Sequence, residues 1–185
     1  MRNIGTQQLE TERFILRRFV EEDYYAMYHN WAKHEEVARY FPWNPITDIS
    51  CAKEKMCKWV KNYSREDYYH WGIVCKEDGI LIGTINLRVD DDNNAAETSY
   101  IVAPDYWNKG VMTEVLKKVI SFGFETLQLN RIAAEFFEGN EASKRVMEKC
   151  GMKIEGTARQ LYCKNGRYID STWCSILDSE YKGHL

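Results

Sequence analysis

The chain has 185 residues, of which 44% are apolar and 14% aromatic, so the sequence predicts one globular domain over residues 1–185 and excludes a disordered chain. Its net charge of −3 argues against nucleic acid as a main partner and is compatible with an amine substrate. No apolar run approaches the length of a membrane span, which argues against a membrane partner.

The first half of the chain predicts two helices and four strands. A strand over Arg13–Phe19, where apolar and polar residues alternate, precedes a helix over Glu21–Lys33, and a second helix covers Cys51–Tyr63. Three strands joined by turns rich in Asp, Asn and Gly then cover Tyr68–Lys76, Leu81–Val89 and Ala96–Ala103. Antiparallel hairpins are therefore expected here.

The second half predicts two helices and three strands. A helix over Thr113–Thr126 leads to a strand over Arg131–Phe137. The next helix begins at Asn140 and ends at Cys150-Gly151, where glycine suits the left-handed position after a helix. Two strands, Lys153–Cys163 and Tyr168–Leu177, complete the chain. The order predicts an α/β (α+β) fold with helices on both faces of one mixed sheet.

Cysteines and histidines give no sign of a metal or redox site. The six cysteines contain no Cys-x-x-Cys pair, so we expect reduced, buried structural thiols. His29 and His34 are five residues apart and do not share a helix face. The chain start lacks the apolar core of a signal peptide, so we expect a cytoplasmic protein, either a monomer or a homodimer.

The turn between residues 104 and 113 predicts an anion site. The β-type run Tyr100-Ile101-Val102 stops at Pro104, and a turn with Gly110 opens directly into a long helix. Backbone N–H groups and the positive end of the helix dipole then point at one spot, where a phosphate can bind. A nucleotide P-loop is excluded, because it needs Gly-Lys-Ser/Thr and this chain reads Lys-Gly-Val.

Three stretches make the chain resemble the GNAT superfamily of acetyl-CoA-dependent N-acyltransferases, in particular its RimJ/RimL-type branch. The acetyl-CoA motif, Gln/Arg-x-x-Gly-x-Gly/Ala, is similar to Trp107-Asn108-Lys109-Gly110-Val111-Met112. The second motif of the branch resembles Asn140-Glu-Ala-Ser143-Lys-Arg-Val146-Met-Glu148-Lys149-Cys-Gly151-Met152-Lys-Ile-Glu155-Gly156. The first strand of the branch resembles Leu9-Glu-Thr-Glu-Arg13-Phe-Ile-Leu16-Arg17. The resemblance implies a mostly antiparallel sheet of about seven strands, splayed between the fourth and fifth.

The resemblance also implies acetyl-CoA as the cosubstrate, with no metal. The amides that bind the pyrophosphate would come from Asn108, Lys109, Gly110, Val111, Met112 and Thr113. The pantetheine arm would pair with Tyr100, Ile101 and Val102, while Asn140 bonds to it and Ser143 lies near its sulfur. Lys149 either approaches the adenosine phosphate or is a solvated lysine at a helix end.

Acetyl transfer needs a neutral amine, a stabilised oxyanion and a proton for the leaving thiolate. The resemblance makes Glu97 the first candidate for the general base, with a structural carboxylate as the alternative. Glu135 is the second candidate, and the sequence favours a charge on the strand surface as its alternative. The N–H of Val102 would support the oxyanion. Many relatives carry a tyrosine acid where this chain has Met147, which leaves Ser143 as either the proton donor or a first-turn helix serine.

The acceptor is the least defined part. The aromatic segment Tyr40–Asn44 and the hairpin Tyr162–Tyr168 are either walls of the acceptor site or ordinary core and rim. The expected activity is direct transfer of acetyl from acetyl-CoA to a primary amine, on a protein N-terminus or a small molecule. The alternative is a non-catalytic acyl-CoA-binding or regulatory protein on the same fold.

Overall fold

The computed structural model describes residues 3–182, in which a single eight-stranded sheet carries helices on both faces. The strand order is β1-β2-β3-β4-β5-β6-β8-β7. The strands are β1 (Leu9–Glu10), β2 (Phe14–Arg17), β3 (Tyr68–Cys75), β4 (Leu81–Asp90), β5 (Ala95–Val102), β6 (Arg131–Phe137), β7 (Lys153–Lys164) and β8 (Arg167–Leu177).

Helices follow four of the strands: β2, β5, β6 and β8. After β2 the chain forms three consecutive helical elements: a 3₁₀ turn (Glu21–Asp23), helix α1 (Tyr24–Met27) and a π turn (Tyr28–Ala32). The other helices are α2 (Glu35–Ala38), α3 (Ile49–Asn62), α4 (Val111–Ser121), α5 (Glu141–Lys149) and α6 (Asp178–Lys182). A 3₁₀ turn (Pro104–Tyr106) precedes α4, and a π turn (Phe122–Thr126) follows it. The predicted fold class and element order are confirmed.

Some predicted bounds were wrong because tertiary contacts decide them. The prediction of seven strands missed β1, which has two residues and exists only by pairing with β2. The first long strand ends at Arg17 rather than Phe19, because the N–H of Phe19 donates to the Tyr63 hydroxyl instead of a neighbouring strand. The last hairpin is tighter than predicted, with only Asn165 and Gly166 between its strands, both at positive φ.

The predicted splay lies between β5 and β6. These strands are parallel, and among residues 3–182 they pair only from Ala95–Arg131 to Glu97–Ala133. Every other neighbouring pair in the sheet is antiparallel. Beyond Glu97 the two strands diverge, so the rest of β5 leaves one backbone edge open to the cleft.

Side chains of β5 alternate between two apolar cores, because successive residues of a strand point to opposite faces. Tyr100 and Val102 pack on the core beneath α4, where Leu116 and Trp71 are fully buried. Ile101 packs on the core beneath α1 and α3, with Trp31 among its members. The end of β5 is therefore held from both sides at the cleft.

The cysteine prediction holds in part. All six thiols are free, and Cys75, Cys150 and Cys174 are buried as expected. The expectation of burial was wrong for Cys51 and Cys163, which are exposed, because one lies on the outer face of α3 and the other on the edge strand β7.

Candidate active site

A cavity of about 340 Å³ follows the open edge of β5 from the 104–113 turn to α5. Its lining joins residues that are far apart in the sequence and contains every predicted cofactor residue except Lys109. These are Tyr100, Ile101, Val102, Asn108, Gly110, Val111, Met112, Thr113, Asn140 and Ser143. The structure therefore brings both sequence motifs to one cleft.

The turn before α4 has the geometry of an anion site. Asn108 and Gly110 have φ angles of 59° and 74°, in the left-handed region, and Gly110 is the N-cap of α4. The first N–H groups of a helix have no partner within it, so those of Val111 to Thr113 remain available. A methyl group added at Gly110 would meet only the Arg13 guanidinium, at 3.6 Å, so the positive φ explains the glycine.

Arg13, the residue before β2, fixes this turn through its side chain. Its guanidinium donates to the Lys109 carbonyl oxygen at 3.0 Å and to a Glu114 carboxylate oxygen at 2.7 Å. The Lys109 side chain turns away, and its ammonium lies 5.3 Å from the centroid of the Tyr106 ring. Lys109 therefore contributes to the turn through its backbone, outside the lining of the cavity.

Backbone direction along β5 adds amides to the cleft. The N–H of Ala103 donates to the Ile82 carbonyl oxygen on β4 at 2.7 Å. Because N–H groups alternate in direction along a strand, that of Val102 points away from β4, toward the splay. The Val102 carbonyl oxygen, which shares this direction, accepts a hydrogen bond of 2.8 Å from the Trp107 indole.

A hydroxyl pair crosses the cavity between β5 and α5. Asn140 caps α5 by accepting a hydrogen bond of 3.1 Å from the N–H of Ser143, which fixes that serine in the first turn. The Tyr100 hydroxyl lies 2.7 Å from Ser143 Oγ. Burial holds the pKa of Tyr100 well above its ordinary value, so this hydroxyl keeps its proton at neutral pH. Sequence reasoning assigned Tyr100 only a backbone role.

A second cavity, of about 680 Å³, lies across β5 from the first and is called here the acceptor cavity. The two cavities meet at Tyr40, Phe41, the β5 residues Thr98 to Ile101, and Glu135. Aromatic side chains form much of its wall, among them Trp31, Tyr40, Phe41, Trp43, Trp59, Tyr68, Tyr69 and Trp173.

The two predicted acceptor walls differ in role. In the aromatic segment, Tyr40, Phe41, Pro42 and Trp43 line the acceptor cavity, whereas Asn44 does not. The hairpin Tyr162–Tyr168 does not line it but supports it from behind. The Lys164 ammonium donates to three carbonyl oxygens of the aromatic segment and its approach, those of Ala38 at 2.7 Å, Phe41 at 3.1 Å and Trp43 at 3.0 Å.

The two candidate bases occupy different positions. Glu135 lines both cavities and accepts hydrogen bonds from the Tyr162 hydroxyl at 2.5 Å and the Ser171 hydroxyl at 2.6 Å. Burial first, and then the hydrogen bond to Glu135, raises the pKa of Tyr162 to about 12. Glu97 lines only the acceptor cavity and forms an ion pair with Arg88. The geometry therefore favours Glu135.

Met147 occupies the position where many relatives carry a tyrosine. Its side chain is only 1% exposed and belongs to the core beneath α4. Lys149 lines the cavity of about 340 Å³, called from here on the cofactor cavity, together with Arg145 from the same helix. The sequence left open a contact between Lys149 and the adenosine phosphate, and Arg145 is a second cation in the same lining.

A mixed sheet splayed at β5 and β6, with a glycine turn opening a helix beside the splay, is the arrangement that the family resemblance implied. The family model of the acetyltransferase (GNAT) domain matches residues 13–153. The chain therefore belongs to the GNAT acetyltransferase family, as its motifs predicted.

Relatives support this placement over almost the full chain. The chain is 35% identical over 170 residues to the uncharacterised N-acetyltransferase YoaA of Bacillus subtilis, covering 91% of this chain and 96% of that protein. It is 22% identical over 186 residues to the ribosomal protein uS5 alanine N-acetyltransferase of Escherichia coli, covering 97% and 95%. The same fold is found in the crystal structure of the microcin C7 self-immunity acetyltransferase MccE in complex with acetyl-CoA and AMP. The TM-score is 0.81 at 18% sequence identity, and the match covers 90% of this chain and 93% of the MccE chain.

No cluster of three or more His, Cys, Asp or Glu side chains among residues 3–182 could hold a metal ion. No helix within the same residues is long and apolar enough to cross a bilayer.

Proposed function

We propose that the protein is an N-acetyltransferase that moves acetyl directly from acetyl-CoA to a primary amine. The observation that carries the proposal is the junction of two cavities at β5 and Glu135. One cavity begins at the helix N-terminus suited to a pyrophosphate, and the other is a separate space for an acceptor. A protein that only binds acyl-CoA has no need of the second space.

The residues of the first cavity fit acetyl-CoA. The free amides at the start of α4 suit the pyrophosphate, the open edge of β5 suits the amide-bearing pantetheine arm, and Arg145 and Lys149 suit the adenosine phosphate. Acetyl-CoA supplies the acetyl group as an activated thioester. MccE, which shares the fold, was solved with acetyl-CoA bound, and this supports the assignment by analogy.

Glu135 is the general base of this proposal. It lies where the cavities meet, and its two hydroxyl partners orient the carboxylate without neutralising its charge. It therefore accepts a proton from the attacking amine as the new C–N bond forms. Glu97 remains the alternative, and its ion pair with Arg88 makes it less available.

Ser143 and Tyr100 form the proton-donating side. As the C–S bond breaks, the sulfur needs a proton, and Ser143 Oγ can give one and regain it from water, while the Tyr100 hydroxyl, 2.7 Å away, keeps its own proton and holds Ser143 Oγ in place. The N–H of Val102 points toward the splay and supports the carbonyl oxygen as its negative charge grows. Met147 has no proton to give, so this hydroxyl pair takes the place of the tyrosine found in many relatives.

The acceptor class belongs to the same proposal. The uS5 alanine N-acetyltransferase carries its acceptor in its name, and the motifs of this chain resemble the RimJ/RimL-type branch. A protein N-terminus and a small amine are both compatible with the acceptor cavity. A cytoplasmic location stays a prediction.

A pair of isosteric variants tests the assignment of the base. Glu135→Gln should lower kcat about a hundredfold or more, because a positioned base contributes about 10²–10⁴-fold, while the Kd for acetyl-CoA stays unchanged. Glu97→Gln is the matched comparison on the neighbouring strand and should retain most of its activity. The reverse ranking would assign the base to Glu97. Equal, small losses in both variants would leave water as the base.

A further inference from the structure

The acceptor cavity contains an ammonium group without a carboxylate partner. Lys55, on α3, lines this cavity, and its Nζ lies 5.5 Å from the ring centroids of both Trp43 and Trp59. Among residues 3–182, no side chain forms an ion pair or hydrogen bond with this ammonium. Within the same residues its partners are the two indole rings, which attract a cation but do not neutralise it.

The other cations of the acceptor cavity are paired. Arg65 donates two hydrogen bonds to Asp67, at 2.9 and 2.7 Å, and Arg88 is paired with Glu97. Each pair contributes no net charge to the cavity. The charges of these four residues therefore cancel, and they do not compensate the positive charge of Lys55.

His70 adds no charge either. It is buried beside Trp59, with its ring nitrogens 2.7 Å from Thr84 Oγ1 and 2.9 Å from the Tyr68 hydroxyl oxygen. Burial first, and then the positive charge of Lys55, lowers its pKa to about 3. The ring is neutral at the pH of a cell.

One uncompensated charge of each sign remains in the cavity. Glu135 is negative and has only hydroxyl partners, and it lies at the junction with the cofactor cavity. Lys55 is positive and lines the acceptor cavity alone, away from that junction. Lys55 is exposed as a whole residue, yet burial of its ammonium lowers its pKa, so an anion gains more from this group than from a fully solvated lysine.

We propose that the acceptor is a zwitterionic primary amine whose anionic group, a carboxylate or a phosphate, binds Lys55 while its amine lies at Glu135. The proposal rests on the proposed acetyltransferase function. The aromatic wall of the acceptor cavity suits an acceptor that also carries an apolar or aromatic group. A polyamine is disfavoured, because its second ammonium would meet Lys55.

Matched acceptors test the proposal. Phenylalanine and phenylalaninamide differ at the carboxylate, phosphoethanolamine and ethanolamine differ at the phosphate, and spermidine serves as the polyamine. In the wild type, kcat/KM should be at least tenfold higher for the anionic member of one pair, and that pair identifies the source of the anion. Spermidine should be the poorer acceptor.

Two lysine variants of α3 complete the design. Lys55→Gln should lower kcat/KM for the anionic member at least tenfold and so remove the preference for it over its neutral partner. Lys53→Gln is the matched control, because Lys53 is exposed on the same helix and does not line the cavity, and it should keep the preference. Equal rates with both members of both pairs, or a preference that survives Lys55→Gln, would overturn the proposal and leave the acetyltransferase function standing.

A binding measurement distinguishes failure of the zwitterion proposal from failure of the proposed acetyltransferase function. Tryptophan fluorescence should respond to N-acetylphenylalanine, which carries the anion but no amine, and Lys55→Gln should weaken this binding at least tenfold. Binding that does not depend on Lys55 would overturn the zwitterion proposal even if no rate can be measured. Binding that does depend on Lys55, without acetylation of any amine, would support the anion site and contradict the proposed catalysis.

Discussion

Replacing Gly83 with alanine should displace the strand that borders the cofactor cavity. Gly83 lies on β4, directly opposite Val102 on β5. A methyl group added there would lie 2.2 Å from the Ile101 carbonyl oxygen and 3.1 Å from the Val102 Cα, well inside ordinary contact distance. These atoms belong to the backbone, so no side-chain rotation can relieve the overlap.

The cost of this change can be worked out from its parts. Overpacking in a rigid region costs about 1–3 kcal/mol. Moving β5 away from β4 also weakens one or two ladder hydrogen bonds, at about 0.5–1.5 kcal/mol each. We therefore expect the free energy of unfolding to fall by about 1.5–6 kcal/mol. At roughly 2–4 °C per kcal/mol for a domain of this size, Tm should fall by roughly 3–24 °C.

Urea unfolding and calorimetric titration with acetyl-CoA measure both consequences. At a temperature where the variant is folded, its affinity for acetyl-CoA should fall at least tenfold, because β5 presents the cofactor with a shifted backbone. Gly156→Ala is the matched control on β7, where an added methyl group meets nothing within 4 Å. If Gly83→Ala matched this control in stability and affinity, the close approach of β4 and β5 would not matter as argued.

Three further predictions concern the site and its support. Tyr100→Phe removes the hydroxyl 2.7 Å from Ser143 Oγ, so kcat should fall about tenfold or more at unchanged Kd for acetyl-CoA; an unchanged kcat in steady-state assays would exclude the hydroxyl pair from proton donation. His70 should make the fold acid-sensitive, because its pKa is about 3 in the folded state and about 6.5 in the unfolded state. Between these values the unfolded state binds more protons, so the free energy of unfolding falls as the pH falls, by about 3 kcal/mol at pH 4. Urea unfolding should show this loss reduced in His70→Gln, and equal losses in both proteins would contradict it. Lys164→Met removes the donor to three carbonyl oxygens, so KM for the amine should rise while the Kd for acetyl-CoA stays constant; a parallel rise in both would place its effect elsewhere.

The sequence was most informative where structure is set locally. Gly151 has the positive φ angle that its place after a helix predicted, and α5 begins directly after Asn140, where the sequence placed the start of a helix. The splay beyond Glu97 was predicted through the family resemblance and is confirmed. Each of these features is visible in a short stretch of residues.

The sequence was least informative where distant segments meet. Glu135 ranked second as a base on sequence grounds, because its partners Tyr162 and Ser171 lie 27 and 36 residues away and no local pattern reports them. Lys55 gave no signal at all, since a lysine on an amphipathic helix is ordinarily solvated. Its position over Trp43 and Trp59 depends on how α3 packs against the aromatic segment.

The central claim is that an acetyl group crosses the junction of the two cavities to an amine. The most direct measurement incubates the protein with acetyl-CoA and a panel of zwitterionic amines, neutral amines and N-terminal peptides, and follows free CoA and acetylated product together. We predict equal amounts of both with at least one amine, and almost none with Glu135→Gln. Tight binding of acetyl-CoA without release of CoA to any amine would contradict this account and favour a non-catalytic acyl-CoA-binding protein.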